Sequence, residues 1–433
     1  MRVLRSRRIV GGEAHDTRKG STGDERQATS GPTSSFSTSL LSYPVSVLTP
    51  EGCRSRLARF SAALNEHRID AAVLANYRSV YYLSGHLRET ELPQLLVVQP
   101  GARPLLVTDS APTTPFDGET LVYESYSVDW PVSFAAVTAK AALALEAALG
   151  RVHGTPRTVA LEKDRLAAEL FGTIARRWPS AEWHSAGALL APLRRKKLDD
   201  EVALIAECVK CIEAGYAVAR DVIRPGNTEL DVFKEMHGEV VRRAGYNLKF
   251  EADFACGVRA LKEGGTPLAR TLLPGDLYII DIFPSFHGYN GDLCRTFAVS
   301  PPTGLQQKAW EISRRGLAIA EEMIRPGVRA RDVWARVHEH IDSFDFVRGS
   351  FKHHAGHGIG LDSQEPPWLI PGSDHVFEVG DVVAVEPGCY SEALQGGVRL
   401  ERDYVVREDG LVNLSEFPLD LTVPKKSAAD KRR

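Results

Sequence analysis

The sequence predicts an α/β (α+β) protein in which a larger region of two pseudo-symmetric halves follows a smaller α/β domain. Three observations predict it. Helix-like and strand-like hydrophobic periods alternate from Cys53 to about Trp183. A helix–turn–helix stretch then occurs twice: residues 222–240 read VIRPGNTELDVFKEMHGEV, residues 323–341 read MIRPGVRARDVWARVHEHI, and seven of the nineteen positions are identical. Each copy is followed by a polar turn running into an apolar strand that ends on a carboxylate, Asp281 in one and Glu386 in the other.

The bulk composition narrows the class. A chain of 433 residues can form two or three domains with real cores. Its net charge of -3 gives no electrostatic case for nucleic acid or an anionic membrane, and no apolar run reaches the ~18 residues of a membrane span. Cys53, Cys208, Cys211, Cys256, Cys294 and Cys389 are scattered, which argues against a disulfide scaffold and for a reducing cytoplasm. Residues 1–40 are rich in Ser, Thr, Gly and Arg and lack the apolar core of a secretory signal. Glu13, Asp16, Asp24 and Glu25 count against a transit peptide, so a disordered extension is expected over residues 1–45.

The elements of the smaller domain, expected over residues 46–188, begin with an amphipathic helix at Arg54–Arg68 that carries Leu57, Phe60 and Leu64 on one face. Ala71–Leu74, Leu95–Val98 and Pro104–Val107 read as short buried strands. No catalytic motif stands out here. A proline and the basic run Arg194, Arg195, Lys196, Lys197 mark the approach to the second domain, residues 189–425, with a tail at 426–433. The second domain opens on a long helix with Val202, Ile205, Cys208, Ile212, Tyr216 and Ala219 at helical spacing. Pro-Gly ends that helix, and Thr228 with Asp231 forms a capping box for the next.

The chemistry lies in the strands that follow. Leu277–Phe283 and Leu293–Val299 form a hairpin whose loop is flanked by Asp281 and Asp292. Val382–Val385 leads into Glu386, and a strand over Val398–Val406 holds Glu401. Aspartate is depleted in strands, and a buried carboxylate needs a partner to stay ionised. Any one of these acids alone reads as an edge charge or turn former; four at matching places read as ligands. Between the two hairpins runs Phe351-Lys-His-His-Ala-Gly-His-Gly-Ile-Gly360, which offers an imidazole and the glycines that let backbone approach a site closely. Four carboxylates and one imidazole suit Mn²⁺, Co²⁺, Fe²⁺ or Zn²⁺ and disfavour copper or an iron–sulfur cluster. Roughly two divalent cations would neutralise the four anions, polarise a carbonyl and generate hydroxide near neutral pH. The remaining candidates read as packing: Cys208 and Cys211 within one helix, His237 and His338 at equivalent repeat positions, and Cys256, Cys294 and Cys389 without a histidine partner.

The segments IIDIFPSFHGYNGDLCRTF, HHAGHGIGLD, VVAVEPGCY and GVRLERDYVV resemble the pita-bread metallopeptidases: methionine aminopeptidase, prolidase, aminopeptidase P and their relative creatinase. The match spans about Asp199–Pro424, and Cys53–Trp183 is similar to the N-terminal domain of prolidase and creatinase. The resemblance implies two divalent metals, manganese first, held by Asp281, Asp292, His357, Glu386 and Glu401. It makes Asp292 and Glu401 shared ligands, Glu386 and His353 catalytic, and Arg399 a support for the carboxylates. It further implies a small peptide or amide substrate, cleaved at the N-terminal side of proline, and a homodimer through the N-terminal domain.

Three departures redirect the substrate expectation. Gln364 stands where these peptidases carry a substrate-contacting histidine, Gly264 stands where they carry another, and Gln364–Val385 contains no Arg or Lys to grip a free carboxylate. Aminopeptidase-like action is therefore favoured over dipeptidase action. The alternatives are a creatinase-like hydrolase or lyase acting on a small non-peptide metabolite, and an inactive binding module.

Overall fold

Helix α1 (Pro50–Glu66) begins four residues before the sequence expectation, because Thr49 caps it and accepts from Gly52 N, with Pro50 in the first turn. The computed structural model describes residues 47–423 other than Thr113 and Pro131; the expected extension at 1–45 and tail at 426–433 lie outside the described residues. Phe60 and Leu64 are buried as expected, and the same face buries Arg56. Its guanidinium lies 2.8 Å from Asp200 and 3.4 Å from Glu201, so α1 is pinned by charge to the first turn of a helix far along the chain.

The smaller domain continues as β1 (Ala71–Leu74), α2 (Tyr77–Ser84), β2 (Leu95–Val98), β3 (Leu105–Thr108), β4 (Glu119–Val122), α3 (Phe134–Leu149), β5 (Thr158–Leu161), α4 (Ala168–Arg177), β6 (Glu182–Ser185) and α5 (Ala186–Arg195). Its six strands form one mixed sheet in the order β4-β3-β2-β1-β5-β6. Side chains alternate across it. Val73, Val97, Val107 and Val159 pack with Val137, Leu145, Ile174 and Trp178 of α3 and α4, while Ala72, Leu74, Leu96 and Ala160 join Phe60, Leu64 and Leu190 on the other face. Burial on both faces explains why these strands read as continuous apolar runs.

The first half of the larger region contains α6 (Asp199–Val222), α7 (Glu229–Ala244), β7 (Ala252–Cys256), β8 (Leu277–Ile282), β9 (Ser285–Phe286), β10 (Tyr289–Asn290) and β11 (Leu293–Ala298). The second half repeats the order: α8 (Gly304–Met323), α9 (Ala330–Asp342), β12 (Gly356–Gly358), β13 (Val382–Val385), β14 (Gly388–Ser391), β15 (Gly396–Arg399), β16 (Arg402–Arg407) and β17 (Gly410–Asn413). The Thr228–Asp231 capping box forms in both directions, at 3.1 and 2.9 Å. In the first sheet, β8 and β11 pair antiparallel and the β9–β10 ribbon projects between them. In the second, β13 and β16 pair antiparallel and the β14–β15 ribbon projects between them.

That topology corrects one sequence expectation. Val398–Val406 is not a single strand: it divides at Leu400 and Glu401, where the chain leaves the ribbon and re-enters the sheet. Glu401 therefore immediately precedes the returning strand, the place Asp292 holds before β11.

The basic run ending α5 also has a structural purpose. Arg194 contacts Asp362 at 2.6 Å and Glu365 at 2.7 Å, Arg195 contacts Asp381 at 2.6 Å, and Lys196 contacts Glu378 at 2.8 Å. Lys197 reaches Glu365 at 2.6 Å. Four consecutive cations thus fasten the connector to residues 362–381 of the second half. Among the described residues no helix is long and apolar enough to cross a membrane.

Candidate metal centre

The four acids are held by backbone pairing. Asp281, near the end of β8, lies opposite Cys294 of β11 on one side and Asp253 of β7 on the other. Tyr216 of α6 sets its hydroxyl 2.7 Å from Ile280 O and 2.6 Å from Leu293 O, each carbonyl one residue from an acid. This buried helix residue fastens the hairpin at its acid-bearing end. Asp292 N donates to Asp403 Oδ2 at 2.9 Å, and Glu401 N donates to Cys294 O at 3.1 Å, which stitches the two sheets together at the site. The buried guanidinium of Arg295 also donates to Glu401 O at 2.5 Å.

His357 lies on β12, opposite Ala384 of β13. Gly356 makes that approach feasible: at φ +149° a Cβ there would come 2.1 Å from Ala384 O. The ring is oriented by Nδ1, 3.0 Å from Gly358 O, so that Nε2 lies 3.3 Å from Glu386 Oε1 and 3.7 Å from Asp292 Oδ2. One ligand atom from each of Asp292, His357 and Glu401 lies within 4.8 Å of the others, and the same holds for His353, His354 and Glu386. All five residues expected as ligands are buried, and they line one cavity of about 360 Å³ with Asp253, Lys262, Glu263, Phe283, His353, His354, Gln364 and Arg399.

Arg399 donates to Asp281 Oδ2 at 2.6 Å, to Glu263 O at 2.7 Å and to Tyr390 Oη at 3.3 Å. His353 is placed between His354 O, 2.7 Å from Nδ1, and Tyr390 Oη, 3.0 Å from Nε2. Burial pushes its imidazole down to about 4, so it is neutral at physiological pH. Gln364 is exposed at the cavity's edge.

The electrostatics of the protein alone are strained in a particular direction. Burial raises Asp281, against the pull of Arg399. Burial, and then the charges of Asp281 and Asp403, raise Asp292 well above the carboxylate range. Glu401 rises well above it through burial and then Asp292 and Asp281. Glu386 is the exception: burial opposes its ionisation, but contact with His354 and His357 holds it well below the usual range. Asp281 Oδ1, Asp292 Oδ1 and Glu401 Oε2 are buried without a hydrogen-bond partner. Buried acceptors left unpaired are costly, and crowded carboxylates favour a bound cation. The donor set therefore fits divalent metal on structural grounds.

Some of the cavity's polar residues had no role in the sequence reading. His354 sits beside Glu386, with Nδ1 3.0 Å from Oε1. Asp403, two residues beyond Glu401, does not line the cavity but backs it, accepting from Asp292 N and buried with Oδ1 unpaired; its strand spacing from Glu401 was the available signal. Asp253 was marked by being the one charge in the strand ADFAC.

Two related α/β halves converging four acids and a histidine into one cavity define a hydrolase of the metallopeptidase type. Residues 203–408 match the model of metallopeptidase family M24, residues 56–196 match that of the creatinase/prolidase N-terminal domain, and the chain belongs to these pita-bread metallopeptidases. YkvY of Bacillus subtilis is 27% identical over 375 residues, covering 85% of this chain and 99% of the relative. An Xaa-Pro dipeptidase of Lactobacillus helveticus is 26% identical over 268 residues, 61% of this chain and 72% of the relative. Among solved structures, an Xaa-Pro dipeptidase from Bacillus anthracis superposes with a TM-score of 0.73 at 24% identity, covering 86% of this chain and 99% of that one. An X-Pro aminopeptidase from Thermotoga maritima gives 0.72 at 22%, covering 84% and 100%. At these identities the solved structures show the fold.

Proposed function

We propose that the protein is a dinuclear-metal-dependent hydrolase that cleaves the amide bond of Xaa-Pro peptides. The observation that carries this reading is the convergence of Asp281, Asp292, His357, Glu386 and Glu401 on one cavity, with buried carboxylate oxygens that have no protein partner. These five residues would hold two divalent cations, manganese first among Mn²⁺, Co²⁺, Zn²⁺ and Fe²⁺. The chemistry supplied by the bound cations is polarisation of the scissile carbonyl and acidification of a water.

The chain's own residues do the rest. Glu386 accepts the proton of the attacking water and delivers it to the leaving nitrogen. His354, 3.0 Å away, keeps that carboxylate oriented, and Arg399 does the same for Asp281. Neutral His353 and Gln364 contact the substrate. We further assign the domains to residues 46–188 and 189–425, a homodimeric assembly through the first, and a cytoplasmic location consistent with six buried, unpaired cysteines.

The absence of Arg and Lys from Gln364–Val385 supports aminopeptidase-like over dipeptidase action. Gln364 itself supports a second reading, hydrolase or lyase chemistry on a small non-peptide amide, because glutamine cannot carry charge or relay a proton. One experiment addresses both. The purified protein with Mn²⁺, Co²⁺ or Zn²⁺ is assayed on Xaa-Pro peptides and small amides, with metal content measured on wild type and Glu386→Ala. Turnover of Xaa-Pro peptides is expected, reduced about 10²–10⁴-fold in the variant. Tight metal binding with no peptide turnover would overturn the peptidase reading, and no bound metal would overturn the metal site as well.

A further inference from the structure

Glu263 and Asp253 are the acids of this cavity that the metal set does not use, and of the two Asp253 is the one carried on a strand of the sheet. It lies directly opposite Asp281 in the antiparallel β7–β8 pair, so the two side chains share a face of the sheet. Its Oδ1 accepts from Gly265 N at 3.0 Å, and among the described residues Asp253 has no ion-pair partner. The neighbouring cations are engaged elsewhere or stand apart: Arg399 is committed to Asp281, Tyr390 and the Glu263 carbonyl, and Lys262 lines the same cavity without pairing to Asp253.

A second, independent observation shows that the surrounding loop is shaped around this carboxylate. A Cβ at Gly264 would lie 2.4 Å from Asp253 Oδ2 and 2.7 Å from its Cγ. The space that a side chain at 264 would need is filled by Asp253. Glu263 O is fixed by Arg399 and Gly265 by Asp253 and Phe254, so the loop closes over the strand from both sides.

We infer that Asp253 is a specificity-determining residue that binds a cationic side chain, guanidinium or ammonium, on the substrate residue N-terminal to the scissile bond. The inference rests on the metallohydrolase reading and names its substrate class. Adjacent strands lie about 4.8 Å apart, so a group held by Asp253 sits one strand beyond the ligand Asp281. An α-amine, two bonds from the reacting carbonyl carbon, is too close for that position; a guanidinium or ammonium at the end of a side chain reaches it. A charge-assisted pair with a carboxylate is stronger than its neutral equivalent, and loss of the charge costs roughly ten- to a hundredfold.

The test compares the tripeptide Arg-Pro-Gly with citrulline-Pro-Gly, which replaces the guanidinium by an uncharged group of nearly the same shape. Wild type, Asp253→Asn and Asp253→Glu are measured with manganese present. The expected kcat/KM ratio favours Arg-Pro-Gly by roughly tenfold or more in wild type, falls to about one in Asp253→Asn and is largely restored in Asp253→Glu. Because each ratio is internal to one protein, loss of folded protein does not mimic the effect. Calorimetric binding of arginine amide against citrulline amide supplies a readout independent of turnover. If no peptide is cleaved but arginine amide binds in preference and Asp253→Asn abolishes that preference, the peptidase reading fails while the Asp253 site stands. Equal binding of the two amides by wild type, or a preference that survives in Asp253→Asn, overturns the inference.

Discussion

Gly264 and Asp253 occupy one space, and their contact predicts a measurable coupling. With a Cβ at 264 only 2.4 Å from Asp253 Oδ2, the variant Gly264→Ala must push the carboxylate off its place over Gly265 N. Overpacking of this kind costs about 1–3 kcal/mol, and truncating Asp253 to Ala makes the room. A double-mutant cycle read by urea unfolding is therefore expected to show a coupling of about 0.5–3 kcal/mol, with Gly264→Ala less harmful in the Asp253→Ala background. Additive costs would mean that the two residues do not compete. Position 264 thus has no room for a histidine ring while Asp253 keeps its place. Position 364 is different, because Gln364 is exposed. Gln364→His is expected to raise Xaa-Pro kcat/KM by about tenfold or more, since a titrating imidazole adds general acid–base help that an amide lacks. An unchanged or lower rate on peptides would show that glutamine serves a different substrate.

At the scale of elements, the connector between α5 and α6 decides whether the loop bearing Gln364 stays in place. Glu365 takes Lys197 at 2.6 Å and Arg194 at 2.7 Å, with the Lys197 side chain only 1% exposed. Removing the acid leaves that ammonium buried and unpaired, so Glu365→Gln is expected to cost about 3–5 kcal/mol in urea unfolding at pH 7. Burial alone would raise the Glu365 carboxyl, but the charges of Lys197 and Arg194 hold it below its ordinary value. A depressed folded pKa makes this stabilisation complete above the unfolded value, near 4.3, and removes it as pH falls through the folded one. The gap between wild type and variant should therefore narrow below about pH 4; a gap independent of pH would refute the assignment. None of this is legible locally, because Lys197 and Glu365 are 168 residues apart. What sequence does reveal is periodicity and spacing: β1 and β2 fall where their apolar runs do, and Asp281 and Glu386 each follow a Gly-Asp turn at the same distance. The division at Leu400 and Glu401 escapes notice because the run from Val398 to Val406 is unbroken in character; only the projecting ribbon, a long-range feature, splits it. Asp253 was visible as an odd charge in a strand, but its meaning depends on the register that sets it opposite Asp281.

The whole molecule carries its reactive groups in the larger region and leaves an apolar surface on the smaller one. β4 is an edge strand of the six-stranded sheet, and from it into α3 the chain exposes Val122, Tyr126, Val128, Val132, Phe134 and Leu143. Tyr126 is 71% and Val128 86% exposed, an arrangement that costs solubility unless another surface covers it. An unpaired edge beside exposed apolar side chains suits an isologous contact with a second copy of the chain, in which the same patch meets itself. A stable contact of that kind buries about 1,200–2,000 Å² in total, so light scattering coupled to size exclusion should give twice the chain mass of 47.5 kDa for wild type. Placing carboxylates at the centre of the patch with Tyr126→Glu and Val128→Glu together should yield a monomer, because buried unpaired charges cost far more than the lost contacts. Metal content should be unchanged in that variant, since all five proposed ligands lie on β8, β12 and the residues bordering β11, β13 and β16. A dimer that survives both charges would place the assembly on a different face, and a wild-type monomer would remove the dimer altogether.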